Sequence, residues 1–372
     1  MKSNHPIKKI KDCIELVSRK DIILSSAYFK NGLYPIIDQG QDFIAGYTND
    51  VNLVYGELGE VIIFGDHTRA VKFVNFPFVV GADGTKILKP IKDLDPKYFY
   101  YNLISLDLES RGYARHFSKL KEIEIPLPPL PIQKQIVADL DAKFATLSEM
   151  KRLRAEAIAD TEKILGETLS EIFEEGKRKG WEEKLMNRIC EINRGGSPRP
   201  INEYITEDID GINWIKISDA TSSTKYIYKT KQKIKKEGLF KTRMVYPGDF
   251  ILTNSMSFGR PYIMKIEGAI HDGWLLIRPS KVILEEFLYY FLSSNDIKKQ
   301  FAKLAGGAVV QNLNSELVKG IKILVPSLVE QKKIVTRLDA LSEKLRRLKD
   351  LQKTQLEDLK KLEKAYLSEV FE

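Results

Sequence analysis

Two patterns alternate along the chain. From Gln133 to Glu175 apolar side chains recur at helical spacing, at Ile136, Leu140, Phe144, Leu147, Ile158, Leu165, Leu169 and Ile172. Steps of three and four return at Leu338, Leu341, Leu345, Leu348, Leu359, Leu362 and Tyr366, with polar Gln352 and Gln355 breaking the seam. Such spacing puts a narrow apolar stripe on one face of a helix, the signature of a coiled coil rather than of a core helix. At ~1.5 Å per residue the first of these helices would be roughly 64 Å long. Gly176 and Gly180 are predicted to end it. Neither stripe is wide enough to stand alone. Antiparallel pairing of the two is the economical solution, and self-association of two chains is the alternative.

Residues 1–125 and 181–325 follow a different pattern. They hold short β-branched and aromatic runs (GEVIIFGD, AVKFVNFPFVV, INWIKISD, GDFILTNS) separated by Gly, Pro, Asn and Asp. That is strand and turn chemistry. Each stretch closes with a short helical piece, PKYFYYNLISL and then EEFLYYFLSS.

The chain also repeats itself. IEIPLPPLPIQKQIVADLDA (Ile123 to Ala142) returns as IKILVPSLVEQKKIVTRLDA (Ile321 to Ala340), a shift of 198 residues that still holds where LSEIFE matches LSEVFE at Leu367 to Glu372. Each copy reads as a strand, a proline-rich stop and a long helix. Pro126, Pro128, Pro129 and Pro131 cannot occupy a helix interior, so they stiffen the approach to it. A PxxP ligand is the competing reading.

The predicted class is therefore α+β: two similar mixed α/β globules separated by two long antiparallel helices, with pseudo-twofold symmetry inside one polypeptide. The predicted boundaries are 1–125 and 181–325 for the globules, 126–180 for the joint and first helix, and 326–372 for the second helix.

Charge sharpens this picture. The chain carries a net +8 over 372 residues. Residues 131–180 hold 9 basic and 10 acidic side chains and residues 327–372 hold 11 and 9, so about +7 falls on the globules and joints. A polyanionic partner is expected there, and balanced, solvated struts between. Cys13 and Cys190 stand in separate apolar stretches and are expected to be buried, reduced thiols. No apolar run reaches the ~18–20 residues of a membrane span. The N-terminal MKSNHPIKKIKD also lacks a signal peptide's apolar segment. A cytoplasmic protein without a membrane partner is expected.

A catalytic set is missing. The chain has no GxxxxGK[ST] loop, no glycine-rich cofactor turn and no Asp/Asn-Pro-Pro-Tyr run of an amino-methyltransferase. His5, His67, His116 and His271 show no metal-ligand spacing. A binding protein is expected, not an enzyme, with no metal, no small-molecule substrate and no cofactor in this chain. An unrecognised hydrolase and a coiled-coil adaptor whose globules bind protein stay open.

The repeated joint, PLPPLPIQKQIVADLD and VPSLVEQKKIVTRLD, resembles type I restriction-modification specificity subunits. So do YPIIDQGQ, IIFGDHTRAVKFV, INWIKISD, GDFILTNSMSFGRPYI and GGAVVQNLN, in that order. The resemblance covers essentially the whole chain. It implies two target-recognition domains, each reading half of a bipartite double-stranded DNA target, and spacer helices that fix the gap and dock two methylation subunits. Restriction subunits are a further partner. S-adenosylmethionine, ATP and Mg would belong to those partners. A modification-only or regulatory relative with the same DNA reading is the alternative. The repeat runs to the last residue, so contacts that longer relatives make beyond it are not expected here.

Base edges in the major groove are read by paired donors and acceptors, whereas phosphate contacts only position the protein. In the second globule the DNA-binding candidates are Asn254, Ser255, Ser257 and Arg260, against an ordinary turn organised by Gly259. Arg194, Ser197 and Arg199 are expected in a flexible basic loop suited to phosphate. Lys216 and Ser218, with neighbouring Asp219, face either the groove or the open side of a strand. Gln311, Asn312 and Asn314 compete with an Asx turn, and His271 with a structural role. In the first globule the candidates are Gln39 and Gln41 around Gly40, His67 and Arg69, and Arg111, Arg115 and His116. His67 carries the same structural alternative. Because Arg111 and Arg115 take the place of the second globule's Gln/Asn-rich loop, the two half-sites are expected to differ.

Overall fold

A computed structural model describes every residue except 1–4, 16, 18–19, 109–113, 222, 224, 255–258, 306–312 and 372, and leaves aside the side chains of 302–305. The chain divides into two compact units. Unit 1 comprises Met1–Ala155 with Lys353–Glu372, and unit 2 comprises Glu156–Gln352. Each long helix therefore contributes a segment to both units.

In unit 1 the runs with strand chemistry form two four-stranded sheets. One orders Ile14–Glu15, Thr85–Pro90, Val61–Gly65 and Val71–Val74, all antiparallel. The other orders Gly46–Thr48, Tyr34–Ile37, Phe78–Val80 and Val54–Tyr55. Its central pair is parallel, with Ile36 opposite Val79 and Ile37 opposite Val80. Val61–Gly65 is buried throughout, as expected of an uninterrupted apolar run covered on both faces. The helix Pro96–Ser105 is capped by Asp95, whose carboxylate accepts from Lys97 N and Tyr98 N, and Pro96 occupies its first position. It buries Tyr98, Phe99 and Leu103 into a core with Ile62, Phe64 and Leu88.

Unit 2 is built the same way on two five-stranded sheets. The first orders Cys190–Arg194, Trp274–Pro279, Phe250–Thr253, Pro261–Met264 and Tyr226–Ile227. The second orders Ile205–Thr206, Gln232–Ile234, Ile212–Ile215, Gly268–Ile270 and Arg243–Val245. Here too the central pair is parallel, Trp214 opposite Ala269 and Ile215 opposite Ile270. In each unit the repeated strand pairs with the segment that opens the globule: Glu124–Pro126 with Ile7–Lys9, and Lys322–Val325 with Glu182–Leu185.

The long helices run Leu130–Arg178 and Leu328–Phe371. The first starts three residues before the predicted Gln133. Pro131 is tolerated in the first turn because the N–H it lacks has no intrahelical partner there. Gly176 does not end this helix. It lies inside, where a Cβ would sit 2.2 Å from the Trp181 ring, and the stop falls to Gly180 at φ +73°. Within each unit the two helical segments pack antiparallel. Leu140 meets Leu367 in unit 1, and Leu169 joins Leu338 in the core of unit 2. One expectation about the seam is reversed. Gln352 does not break it, being buried and hydrogen-bonded to Thr161 at 3.2–3.3 Å. Leu348 and Leu362, expected in the seam, are instead exposed. Cys13 and Cys190 are buried and free, and burial pushes the Cys190 thiol up to about 12.

Candidate nucleic-acid interface

The described sequence candidates gather at one end of the strands in each unit. In unit 2 the centre is the turn His271–Asp272–Gly273, between the strands Gly268–Ile270 and Trp274–Pro279. The Asp272 carbonyl accepts from Asn254 Nδ2 at 2.8 Å and from Arg194 Nε at 3.2 Å. Its carboxylate accepts from Ser197 Oγ at 3.1 Å and meets Arg199 Nη2 at 3.4 Å. Burial opposes ionisation of Asp272, but the Ser197 bond and the neighbouring His271 and Arg199 hold its carboxyl below the usual range.

This corrects the reading of NRGGSPRP as a flexible loop. Gly195 N donates to Trp274 O at 2.9 Å and Gly196 N to Ile270 O at 3.2 Å. A Cβ on Gly195 would lie 2.1 Å from His271 O, and one on Gly196 2.2 Å from Lys241 O. The glycine pair is there for close approach, and the loop is pinned along its length.

Asn254 is corrected as well. It is buried, its side chain is used on Asp272, and its backbone bonds Gly273 O and Leu313 N, so it organises loops. INWIKISD is a strand only to Ile215. A short helix, Ile217–Thr221, follows, and buried Asp219 accepts from Lys216 N at 2.9 Å instead of facing a groove.

Ser197, Arg199, Lys216, Ser218 and His271 line one groove of about 1040 Å³ with Asp272 and Trp214. Lys216 Nζ donates to Gln232 Oε1 at 3.1 Å on one wall. His271 Nδ1 accepts from Gly273 N at 2.9 Å, and burial lowers the pKa of its ring. Arg260 is exposed, donates to Ser223 O at 3.3 Å and lies 5.1 Å over the Tyr262 ring. Asn314 caps Ser315–Lys319, accepting from Leu317 N at 2.9 Å, which is its Asx-type alternative.

In unit 1 the loops gather around Asp66. Gln39 donates to Asp83 O at 2.8 Å and accepts from His67 N at 3.3 Å, while Thr68 Oγ1 donates to Gln39 O. The left-handed Gly84, φ +86°, lets these two side chains close in. Arg69, itself at φ 62°, donates to Leu108 O. His116 is buried, not surface-facing. Its backbone N–H donates to Asp66 O at 2.9 Å, its Nδ1 stands 3.0 Å from the same oxygen, and its Nε2 has no hydrogen-bond partner among the described residues. Gln41 and Arg115 are exposed. Arg111, Ser255, Ser257, Gln311 and Asn312 lie outside the described residues.

Three organising residues were missed in the sequence. Asp66 and Asp272 each tie several segments together. Buried Lys72 donates to Asp38 O at 2.8 Å and to Asp42 O, holding the loop that presents Gln41, and burial lowers its pKa against the pull of Asp38 and Asp42. One signal was available: Asp83-Gly84 and Asp272-Gly273 are matching Asp-Gly turns, 189 residues apart.

Among the described residues no group of three or more His, Cys, Asp or Glu could hold a metal ion, and no helix is long and apolar enough to cross a membrane.

The profile of the type I restriction modification DNA specificity domain matches residues 3–157 and again 178–358. The chain is 28% identical over 351 residues to the type I restriction enzyme EcoR124I/EcoR124II specificity subunit of Escherichia coli, covering 86% of this chain and 82% of that one. It is 26% identical over 324 residues to a putative type I restriction enzyme specificity subunit of Haemophilus influenzae, covering 80% and 77%. Among solved structures, a chain described with complex assembly and conformational transition of the type I R-M system superposes with a TM-score of 0.74 at 18% identity, over 98% of both chains. The HsdS subunit from Thermoanaerobacter tengcongensis gives 0.55 at 18% identity, over 98% and 96%.

Proposed function

Since the chain belongs to the type I restriction modification DNA specificity family, we propose that it is the DNA-reading subunit of a type I restriction-modification complex, each compact unit reading one half of a bipartite double-stranded target. One observation carries this reading: the same arrangement of strands and loops occurs twice, with different side chains at corresponding loop positions. Unit 2 gathers Arg194, Ser197, Arg199 and Asn254 on Asp272, where unit 1 has Gln39 on the carbonyl of the matching Asp83. Two readers built alike but lined differently suit a target with two unlike halves.

The chain itself catalyses nothing in this proposal. Two methylation subunits, bound along the long helices, supply S-adenosylmethionine and the adenine chemistry, and restriction subunits bring ATP and Mg. The helices, 49 and 44 residues long, fix the interval of unread base pairs. The complex works in the cytoplasm, where the DNA is.

The test is a map of methylated adenines in the host genome before and after deletion of this gene. Loss of one bipartite motif is expected, with its return on complementation. An unchanged methylation map would overturn the proposal. The purified chain alone, given S-adenosylmethionine and target duplex, is expected to transfer no methyl group.

A further inference from the structure

Among the candidate cations of unit 2, the one at the groove's Asp272 carboxylate is placed unlike the others. Arg194 is turned onto a carbonyl, Lys216 onto Gln232, and Arg260 onto Ser223 and Tyr262. Arg199 leaves its side chain 81% exposed at the groove, with its guanidinium against the Asp272 carboxylate. That carboxylate is itself fixed: Ser197 bonds its other oxygen, and Asn254 and Arg194 hold its carbonyl. The backbone leading to Arg199 is fixed too, by Gly195 and Gly196 packed against the His271 and Lys241 carbonyls and by Pro198 and Pro200 on either side.

A phosphate clamp needs none of this. Phosphate is met well by a mobile cation, and a carboxylate beside it weakens the attraction. A base edge is different. A guanine presents two acceptors, N7 and O6, that fit the paired donors of a guanidinium only when its plane is set. A carboxylate against one end of the fork, here a single contact of 3.4 Å to Nη2, favours one orientation of that plane and leaves the other end of the fork toward the groove.

Resting on the DNA-reading proposal, we infer that Arg199 reads a guanine in the half-site of unit 2, with Asp272 as the positioning residue that orients it. Arg199, expected from the sequence on phosphate, is then a base reader.

The test uses the full chain assembled with its cognate methylation subunits. Wild type, Arg199→Gln, Arg199→Lys and Asp272→Asn would each be exposed to a randomised duplex pool and sequenced, then titrated on selected duplexes from 50 to 200 mM salt. Arg199 is exposed and Asp272→Asn is nearly isosteric, so all are expected to fold, as thermal unfolding would check. Arg199→Gln and Arg199→Lys should both lose roughly 5- to 150-fold discrimination at a single guanine, with the salt slope unchanged. Asp272→Asn should weaken discrimination at that same guanine without weakening binding to unrelated DNA. Three results would overturn the inference: even weakening across all sequences with a salt slope smaller by about 1, rescue by lysine, or variants that select the same guanines as wild type. In each, selection of a bipartite motif by the wild type would leave the DNA-reading proposal standing. A wild-type complex that selects no motif would remove both.

Discussion

The two units differ least at the joints and most at the loops. In unit 1 the buried Gln133 accepts from Asp95 N at 2.8 Å and donates to Asp93 O at 2.9 Å and Pro128 O at 2.7 Å. In unit 2 Gln331 accepts from Leu284 N at 2.8 Å and donates to Val282 O at 3.0 Å and Pro326 O at 2.9 Å. Tyr101 donates to Asp141, and Tyr290 to Asp339 at 2.6 Å. These bonds lock a long helix to the globule beside it, and they survive the repeat intact. At the loops only the backbone frame survives. Asp66 N bonds Gly84 O at 2.8 Å as Asn254 N bonds Gly273 O at 3.1 Å. The carbonyl of the Asp-Gly turn is held by Gln39 in one unit and by Asn254 and Arg194 in the other. The joint is under a mechanical requirement common to both units, whereas the loops are free to be relined.

The comparison breaks most sharply at one core position. Asp249 is buried and takes a two-pronged bond from Arg278 at 2.8 and 2.7 Å, where unit 1 has fully buried Val61 in the matching strand. Breaking a fully buried pair costs about 3–5 kcal/mol; the Arg278 side chain is 35% exposed and keeps Glu191, so the loss here lies at the low end, about 3 kcal/mol. Asp249→Ala should therefore destabilise unit 2 by that amount and leave unit 1 unchanged. All three tryptophans, Trp181, Trp214 and Trp274, lie in unit 2, so their fluorescence in a denaturant titration isolates it. A shift of under about 1 kcal/mol would show that the pair is not structural.

The glutamines give the next largest effect, and here the units should agree. Gln133→Ala and Gln331→Ala each strand one buried carbonyl, of Pro128 or Pro326, and leave a half-buried carbonyl and N–H without that partner, at about 1–3 kcal/mol for a buried group and less for the others. Losses of about 3 kcal/mol are expected in each affected unit, read by hydrogen exchange. Unequal losses would mean that the joints are alike in geometry but not in function.

The smallest effect returns to the loops. His271 directly precedes the Asp-Gly pair of unit 2, as Ala82 precedes that of unit 1; it lies near Asp272 and Lys216, and burial lowers its pKa. The fold favours the neutral ring, so its contribution is present above the ordinary histidine range near 6.5 and is lost as pH falls below it. Between pH 7.5 and 5.5 the stability of unit 2 should fall modestly, and His271→Ala should flatten that dependence. A variant with the wild-type pH profile would place the sensitive group elsewhere.

Much of the architecture was legible because it is periodic or repeated. The helical stripes, the shift of 198 residues and the β-branched runs each announce an element without tertiary knowledge. What escaped the sequence depends on a neighbour distant in the chain. Gln352 reads as a break until Thr161 is placed opposite it. Gly176 reads as a stop until Trp181 fills the space beside it, and Gly195-Gly196 reads as slack until two carbonyls are found against it. The candidate site divides likewise. Residue type pointed to Arg199, Lys216, Gln41 and Arg115, which are surface residues. It could not foresee that Asn254 and His116 turn inward, or that Asp66 and Asp272 hold the loops together.

The central claim is that each unit reads its own half of the target. Mapping methylated adenines in cells carrying Arg199→Ala with Lys216→Ala, and separately Gln41→Ala with Arg115→Ala, tests it most directly. Each pair should relax sequence preference in one half of the motif while the other half and the interval stay as in wild type, and the two pairs should relax opposite halves. Relaxation of both halves by either pair would contradict the account.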